Sequence, residues 1–167
     1  GRQAGDCEQV GTKSYDTTQT LNDYNVINID LDEVAGFVVP NGTYRLTLDL
    51  PGLSGGQANR QETRYLFIAD TALTIKKDNA GTVLVWATDM KTGAVVPNLS
   101  VELFEVPNRG AFSSIQTAMT DADGLAVFAA DEALVKRQIG VRASGDGHFG
   151  LALQSWDDGI SPWNFGL

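Results

Sequence analysis

The chain is poor in the residues that most often carry chemistry. Its 167 residues include one cysteine, Cys7, and one histidine, His148. A metal site or a catalytic base needs partners, and no second histidine, no usable cysteine and no serine in a nucleophile-elbow context accompanies His148. It reads as a turn-edge residue, so no catalytic, cofactor-binding or metal-ligating residue is assigned. The lone cysteine fits a reducing compartment and a cysteine-poor exported protein equally. Basic residues are also scarce, 12 against 21 acidic ones, and the formal net charge of -9 repels a polyphosphate backbone. Nucleic acid is therefore not an expected partner. No apolar run approaches the length of a membrane span, so the chain is not expected to cross a bilayer. No basic-then-apolar leader opens it, which decides nothing about compartment. Gly1 looks like a cloning remnant and both ends stop without a closing feature, so an excised part of something larger is expected.

What the chain has in quantity is two-residue alternation. Apolar content of 43% is enough to bury a core, and from Asn25 onward short stretches rich in Val, Ile, Leu, Thr and aromatics are broken by Gly, Asn, Asp and Pro. NVINIDL predicts a strand with Ile27, Ile29 and Leu31 on one face. After a Pro40-Asn41-Gly42 turn, TYRLTLDL predicts a second, with Tyr44, Leu46, Leu48 and Leu50 inward. Pro51 to Gln61 has loop composition, and TRYLFIAD returns as a third strand, with SYDTTQTL a candidate fourth.

From Thr71 the pattern restarts. TALTIKK, TVLVWATD, LSVELFEV, SIQTAMTD, GLAVFAA, QIGVRAS and HFGLALQSW make seven strands, the number an immunoglobulin-like antiparallel β-sandwich needs. The expected core is Leu73, Ile75, Leu84, Trp86, Val101, Leu103, Leu125, Val127, Ile139, Val141, Phe149, Leu151 and Leu153, with Trp86 free to take either face. DEALVKR reads as a loop with a helical tendency, capped by Asp131. The expectation is an all-β chain in three parts: a small, incomplete β unit with a polar N-terminal segment over 1–70, a sandwich over 71–158, and an aromatic tail over 159–167. Open edges in the first unit predict some self-association, though the sequence does not set the oligomeric state.

Three features invite functional readings. TDADG, Thr120 to Gly124, opens like a calcium loop, but position twelve from Asp121 is reached through AVFAA instead of ligand residues. It reads as a hairpin turn with Gly124 at positive φ. Asp157 and Asp158 are adjacent, and neighbouring strand residues point to opposite faces, so they cannot flank one bond as an acid and base. SWDDGISPWNFGL gathers Trp156, Ile160, Trp163 and Phe165 where Gly159 and Pro162 prevent simple continuation of helix or sheet. Such aromatics need a surface, either their own sandwich, a neighbouring domain, or a sugar or peptide ligand.

The run YLFIADTALTIKKDNAGTVLVWATDMKTGAVVPNLSVELFE, then TDADGLAVFAA and HFGLALQSWDDGISPWNFGL, resembles an internal macroglobulin-like domain of the bacterial α2-macroglobulins. Val85, Trp86, Thr88 and Asp89 match that family's V-W-x-T-D strand; Thr92, Gly93, Val96 and Val101 match its T-G-x-x-V loop; Thr120, Asp121 and Gly124 match its T-D-x-x-G turn. PNGTYRLTLDL followed by RYLFIADTAL is similar to the closing hairpin and exit strand of a preceding domain. The resemblance implies a non-enzymatic structural part of an envelope, periplasmic or secreted endopeptidase inhibitor. Its partners are neighbouring domains and, through the full-length protein, proteases trapped after bait-region cleavage. The C-G-E-Q thioester of that family is missing: in GDCEQV, Gln9 follows Cys7 by two places instead of three. A bait segment and a Y-R-P-G-Q stretch are missing as well. The alternative is a stand-alone immunoglobulin-like adhesin or carbohydrate-binding module.

Overall fold

A computed structural model describes residues 8–16, 26–50, 60–107 and 112–154. The chain divides into two units, Gly1–Pro40 and Asn41–Leu167. In the first, the expected strand NVINIDL is absent. Residues 26–30 have no regular structure, and Leu31–Ala35 form a short helix, α1. The reason is capping: the Asp30 carboxylate accepts from the backbone N–H groups of Asp32 (3.0 Å) and Glu33 (3.2 Å), Asp32 and Glu33 occupy the first turn, and Gly36 closes the helix at φ 78°. Those terminal bonds outweigh a local alternation that has no neighbouring strand to pair against among the described residues. The segment carrying Gly11 lies on this helix so closely that an added Cβ would sit 2.1 Å from the Val34 carbonyl oxygen, and Lys13 pairs with Glu33. None of the described residues of this unit is buried. SYDTTQTL forms no strand over its described part, 14–16.

The second unit opens with a two-stranded ribbon. Strand β1 (Gly42–Leu50) pairs antiparallel with β2 (Arg60–Ile68), from Gly42 opposite Ile68 to Leu50 opposite Arg60. Pro40, Asn41 and Gly42 therefore lead into the ribbon without joining two strands. At its start the Asn41 side chain donates to the Gly147 carbonyl, 3.1 Å.

Seven further strands form the sandwich: β3 (Thr71–Lys77), β4 (Val83–Asp89), β5 (Ser100–Glu105), β6 (Ser113–Met119), β7 (Leu125–Phe128), β8 (Ile139–Gly145) and β9 (His148–Leu153). One sheet has the order β3-β4-β7, the other β6-β5-β8-β9, and every pairing is antiparallel. In an immunoglobulin constant domain the fourth strand shares a sheet with the first, second and fifth and pairs with the fifth. Here the fourth, β6, has moved to the other sheet to form a hairpin with β5. DEALVKR supplies helix α2 (Glu132–Val135), with the Asp131 carboxylate accepting from Ala133 N–H at 2.8 Å, and its Leu134 is fully buried.

The two sheets enclose Leu73, Ile75, Val83, Val85, Ala87, Val101, Leu103, Ala126, Phe128, Ile139, Val141, Ala143 and Ala152, joined by Val96, Leu99 and Leu134 from the connections. In β4 and β7 three expected core residues, Leu84, Leu125 and Val127, fall on the other face, and Trp86, free to take either, takes the outer one. Val83, Val85 and Ala87 of β4 point inward while Leu84 is half-buried and Trp86 is 43% exposed; Ala126 and Phe128 of β7 point inward while Leu125 is half-buried and Val127 is 59% exposed. The two errors are one error. Trp86 lies opposite Leu125 and Leu84 opposite Val127, and directly opposed residues share a face. Small Val and Ala fill the narrow space between sheets, and Trp86 on the outside gives its indole N–H an acceptor, the Asp123 carbonyl at 3.2 Å. Leu151 and Leu153 are likewise only half-buried, because Gly150 and Ala152 take the inner face. A Cβ on Gly150 would lie 2.6 Å from the Thr71 carbonyl oxygen, so only glycine permits β9 to approach β3 this closely. Phe149 is buried as expected.

Candidate functional site

Antiparallel order brings the start of β3, the end of β4, the start of β5, the end of β6, the start of β7, the end of β8 and the start of β9 to one end of the sandwich. Asp89, Thr92, Gly93, Val96, Thr120, Asp121, Gly124 and His148 lie there.

Asp89 ends β4 and organises the loop that follows. One oxygen of its carboxylate accepts from Lys91 N–H (3.0 Å), Thr92 N–H (2.6 Å) and the Thr92 hydroxyl (2.7 Å). The Thr92 hydroxyl, with the backbone N–H groups behind it, holds the acid below its usual range against a small opposing effect of burial. Gly93 takes φ 72° to turn the chain, after which Val96 N–H donates to the Ala87 carbonyl (3.0 Å) and the Val96 side chain enters the core. Thr120, 2% exposed, reaches the same loop: its hydroxyl accepts from Leu99 N–H and donates to the Val96 carbonyl, both at 2.9 Å.

TDADG is a turn with Gly124 at φ 74°, as expected, but it does not close a hairpin. Its flanking strands belong to different sheets, β6 with β5 and β7 with β4, so the turn carries the chain across the sandwich. One Asp121 oxygen accepts from Asp123 and Leu125 N–H, both 2.9 Å, which commits it to the turn. Gly124 O accepts from Ala87 N–H (2.9 Å), and a Cβ at Gly124 would meet Ala87 O at 2.7 Å. Among the described residues no three His, Cys, Asp or Glu side chains converge as a metal site requires.

His148 opens β9 after a turn, but it does not stand alone. Its Nδ1 lies 2.8 Å from Asp70 Oδ2 and 3.5 Å from the Thr71 hydroxyl. The other Asp70 oxygen takes hydrogen bonds from the Thr71 hydroxyl (3.0 Å) and from Phe149 N–H (2.9 Å). Burial pushes the Asp70 acid up, but the Phe149 N–H, the Thr71 hydroxyl and His148 together hold it below its ordinary value. A hydroxyl, an imidazole and a carboxylate in contact invite comparison with a catalytic triad. The comparison fails on geometry: a triad puts nucleophile and carboxylate on opposite ring nitrogens, whereas Thr71 and Asp70 both face Nδ1, and Thr71 is 2% exposed. What the group does is clasp the first residues of β3 to the first of β9, an attachment reinforced by Asp70 N–H to Phe149 O at 3.3 Å. Sequence reasoning missed this clasp because its members are 78 residues apart. The signal was an acid at the β2–β3 boundary, since first and last strands of a closed sandwich are neighbours.

Two surfaces complete the candidates. The outer face of β3-β4-β7 shows Trp86 flanked by Leu84, Leu125 and Val127. The solvent face of the ribbon makes an open hollow lined by Arg45, Thr47, Gln61, Thr63 and Tyr65. Trp156, Ile160, Trp163 and Phe165, like Asp157, Asp158 and Cys7, lie outside the described residues. No helix among the described residues is long and apolar enough to cross a membrane. Compared with family models, curated proteins and solved structures, the chain matches none of them.

Proposed function

We propose that the chain is a non-catalytic structural part of a bacterial α2-macroglobulin-like protease trap, acting in the periplasm, at the cell envelope or outside the cell. Its sandwich serves as a rigid element of the cage, in contact with neighbouring domains and meeting proteases only through the full-length protein. One observation carries this reading. The residues that resemble the family, Trp86, Asp89, Thr92, Gly93, Val96, Thr120, Asp121 and Gly124, meet in a single joint between the β4–β5 loop and the β6–β7 turn, and apart from the Thr92 hydroxyl on Asp89 the described polar contacts of these side chains hold backbone. Residues retained for such a joint are those of a load-transmitting scaffold. The parent reading frame tests it: a downstream C-G-E-Q in a much longer chain supports the trap, and a parent protein that leaves a protease active on small substrates but blocked on large ones confirms it. Tandem copies with a cell-wall anchor defeat it.

A second reading, a carbohydrate-binding or adhesin module, is favoured by the exposure of Trp86 on the outer face of the β3-β4-β7 sheet. A shift in tryptophan fluorescence on glycan titration that Trp86→Ala abolishes would select this reading.

A further inference from the structure

The β1–β2 ribbon is a sheet of two strands, and among the described residues no third strand pairs with either edge. Among the described residues β1 is thus an edge strand; such an edge presents a row of backbone donors and acceptors, and two strands alone are marginally stable in water. The ribbon has two unlike faces. Leu46, Leu48 and Leu50 are half-buried, alternating with exposed Arg45, Thr47 and Asp49.

Consider β1 pairing antiparallel with β1 of a second copy. Faces match only where odd-numbered residues oppose odd-numbered ones, because a slip of one residue sets leucines against charges. Among those registers, a two-fold axis through Arg45 sets arginine against arginine, and one through Asp49 sets carboxylate against carboxylate. Axes through Leu46 or Leu48 pair neither charge with its opposite. An axis through Thr47 sets Arg45 against the partner's Asp49 and Asp49 against the partner's Arg45, while Leu46 meets the partner's Leu48 on the other face. Arg45 and Asp49 are four residues apart on one strand, about 13 Å, too far to satisfy each other within a chain. On β2, Glu62 and Arg64 pair within the strand at 3.1 Å, whereas on β1 Asp49 Oδ1 accepts only from the neutral Gln61 amide at 2.9 Å among the described residues, which leaves its charge without a cationic partner there.

We propose that the chain forms a two-fold dimer through antiparallel pairing of β1 with β1 of a second copy, centred on Thr47. The product is one four-stranded sheet of order β2-β1-β1-β2, with a leucine face and two Arg45–Asp49 cross-strand pairs. Two-fold pairing of identical edges is self-limiting, since it consumes the same edge of both copies. The interface lies on the ribbon, away from the joint that carries the functional reading, so either can fail without the other.

Sedimentation equilibrium of the 167-residue chain tests it. Wild type is expected to dimerise. Arg45→Asp and Asp49→Arg each replace two attractive pairs by two repulsive ones and are expected to weaken the dimer about tenfold or more. The double variant Arg45→Asp/Asp49→Arg restores both pairs and returns the affinity close to wild type, which also shows that the single variants did not merely misfold. In a Cys7→Ser background, Thr47→Cys is expected to give a disulfide-linked dimer on mild oxidation. A strict monomer at high concentration, a dimer indifferent to Arg45→Asp, or a double variant no better than the singles overturns the proposal.

Discussion

Thr120 offers the sharpest test of how this sandwich is held together. Its side chain is 2% exposed, and its hydroxyl bridges Leu99 N–H and the Val96 carbonyl at 2.9 Å each. Valine is nearly isosteric and also β-branched, so Thr120→Val leaves no cavity. The backbone bonds of residue 120, from its N–H to Leu99 O (3.0 Å) and from Asn98 N–H to its carbonyl (2.9 Å), need no side chain. The substitution therefore isolates the hydroxyl. It strands a donor and an acceptor in the interior, at about 1–3 kcal/mol each with the carbonyl at the lower end, so a loss of about 2–4 kcal/mol is expected. At about 4 °C for each kcal/mol in a unit of this size, the midpoint should fall by roughly 8–16 °C. Urea unfolding followed by far-ultraviolet circular dichroism measures it, with the m-value expected to stay constant because the surface exposed on unfolding does not change. Thr120→Ser keeps the bridge and gives up only a methyl, for about 1 kcal/mol. A Thr120→Val protein within about 0.5 kcal/mol of wild type, or a serine variant as damaged as the valine one, would refute the account.

Three more outcomes follow from the same geometry. Gly124→Ala and Gly93→Ala both force alanine to positive φ, 74° and 72°, but only the first drives a Cβ to 2.7 Å from a carbonyl oxygen; Gly93 has nothing within 4 Å. Thermal denaturation should show Gly93→Ala losing about 1 kcal/mol and Gly124→Ala clearly more, and equal losses would contradict the packing. Lys77 donates to the carbonyls of Leu134 (3.0 Å), Val135 (3.3 Å) and Arg137 (2.9 Å), closing the end of α2, so Lys77→Met should cost about 1–2 kcal/mol and speed hydrogen exchange around 132–138. Asp70 is held below its ordinary 3.8, so its contribution is fully present above that value and is lost as pH falls through the lower folded one. Asp70→Asn should be less stable than wild type near neutrality, with the gap closing below about pH 4; a gap unchanged in acid would show that the carboxylate's charge does not matter.

The sandwich was legible because its strands are short, alternate cleanly and are separated by turn residues. Legibility failed wherever alternation was not a contrast. TVLVWATD is apolar at five consecutive positions, Val83 to Ala87, so period two cannot choose a face: Trp86 is open to either, and Leu84, expected inside, follows it outward. NVINIDL failed in the opposite way. Its alternation was real, but Asp30, Asp32, Glu33 and Gly36 spell the start and stop of a helix, and with no described partner strand the capping bonds decide. The clasp of Asp70, Thr71 and His148 could not be read from any window, since only sheet closure brings its parts together. Likewise the T-D-x-x-G turn was visible as a turn, while its crossing from one sheet to the other depends on β6 choosing β5 over β7.

The motif joint also bears on what can tell one such domain from another. Every matched residue answers a local demand of the chain: Asp89 and Thr92 start a loop, Gly93 turns it, Val96 anchors it, Thr120 bridges to it, Gly124 clears Ala87 O, and Trp86 caps the Asp123 carbonyl. These bonds explain the rigidity of the joint, and their polar groups are committed to it, so a ligand or partner would meet other surfaces. Those surfaces are the ribbon edge bearing Arg45 and Asp49 and the sheet face bearing Trp86, neither of which the joint constrains beyond the single indole bond. Substitutions should separate accordingly. Changes within the joint will lower stability and every activity together, while Arg45→Asp will alter association at unchanged stability of the sandwich. An Arg45→Asp protein that lost sandwich stability in step with self-association would show that the ribbon belongs to the core of the fold and is not a surface added to it.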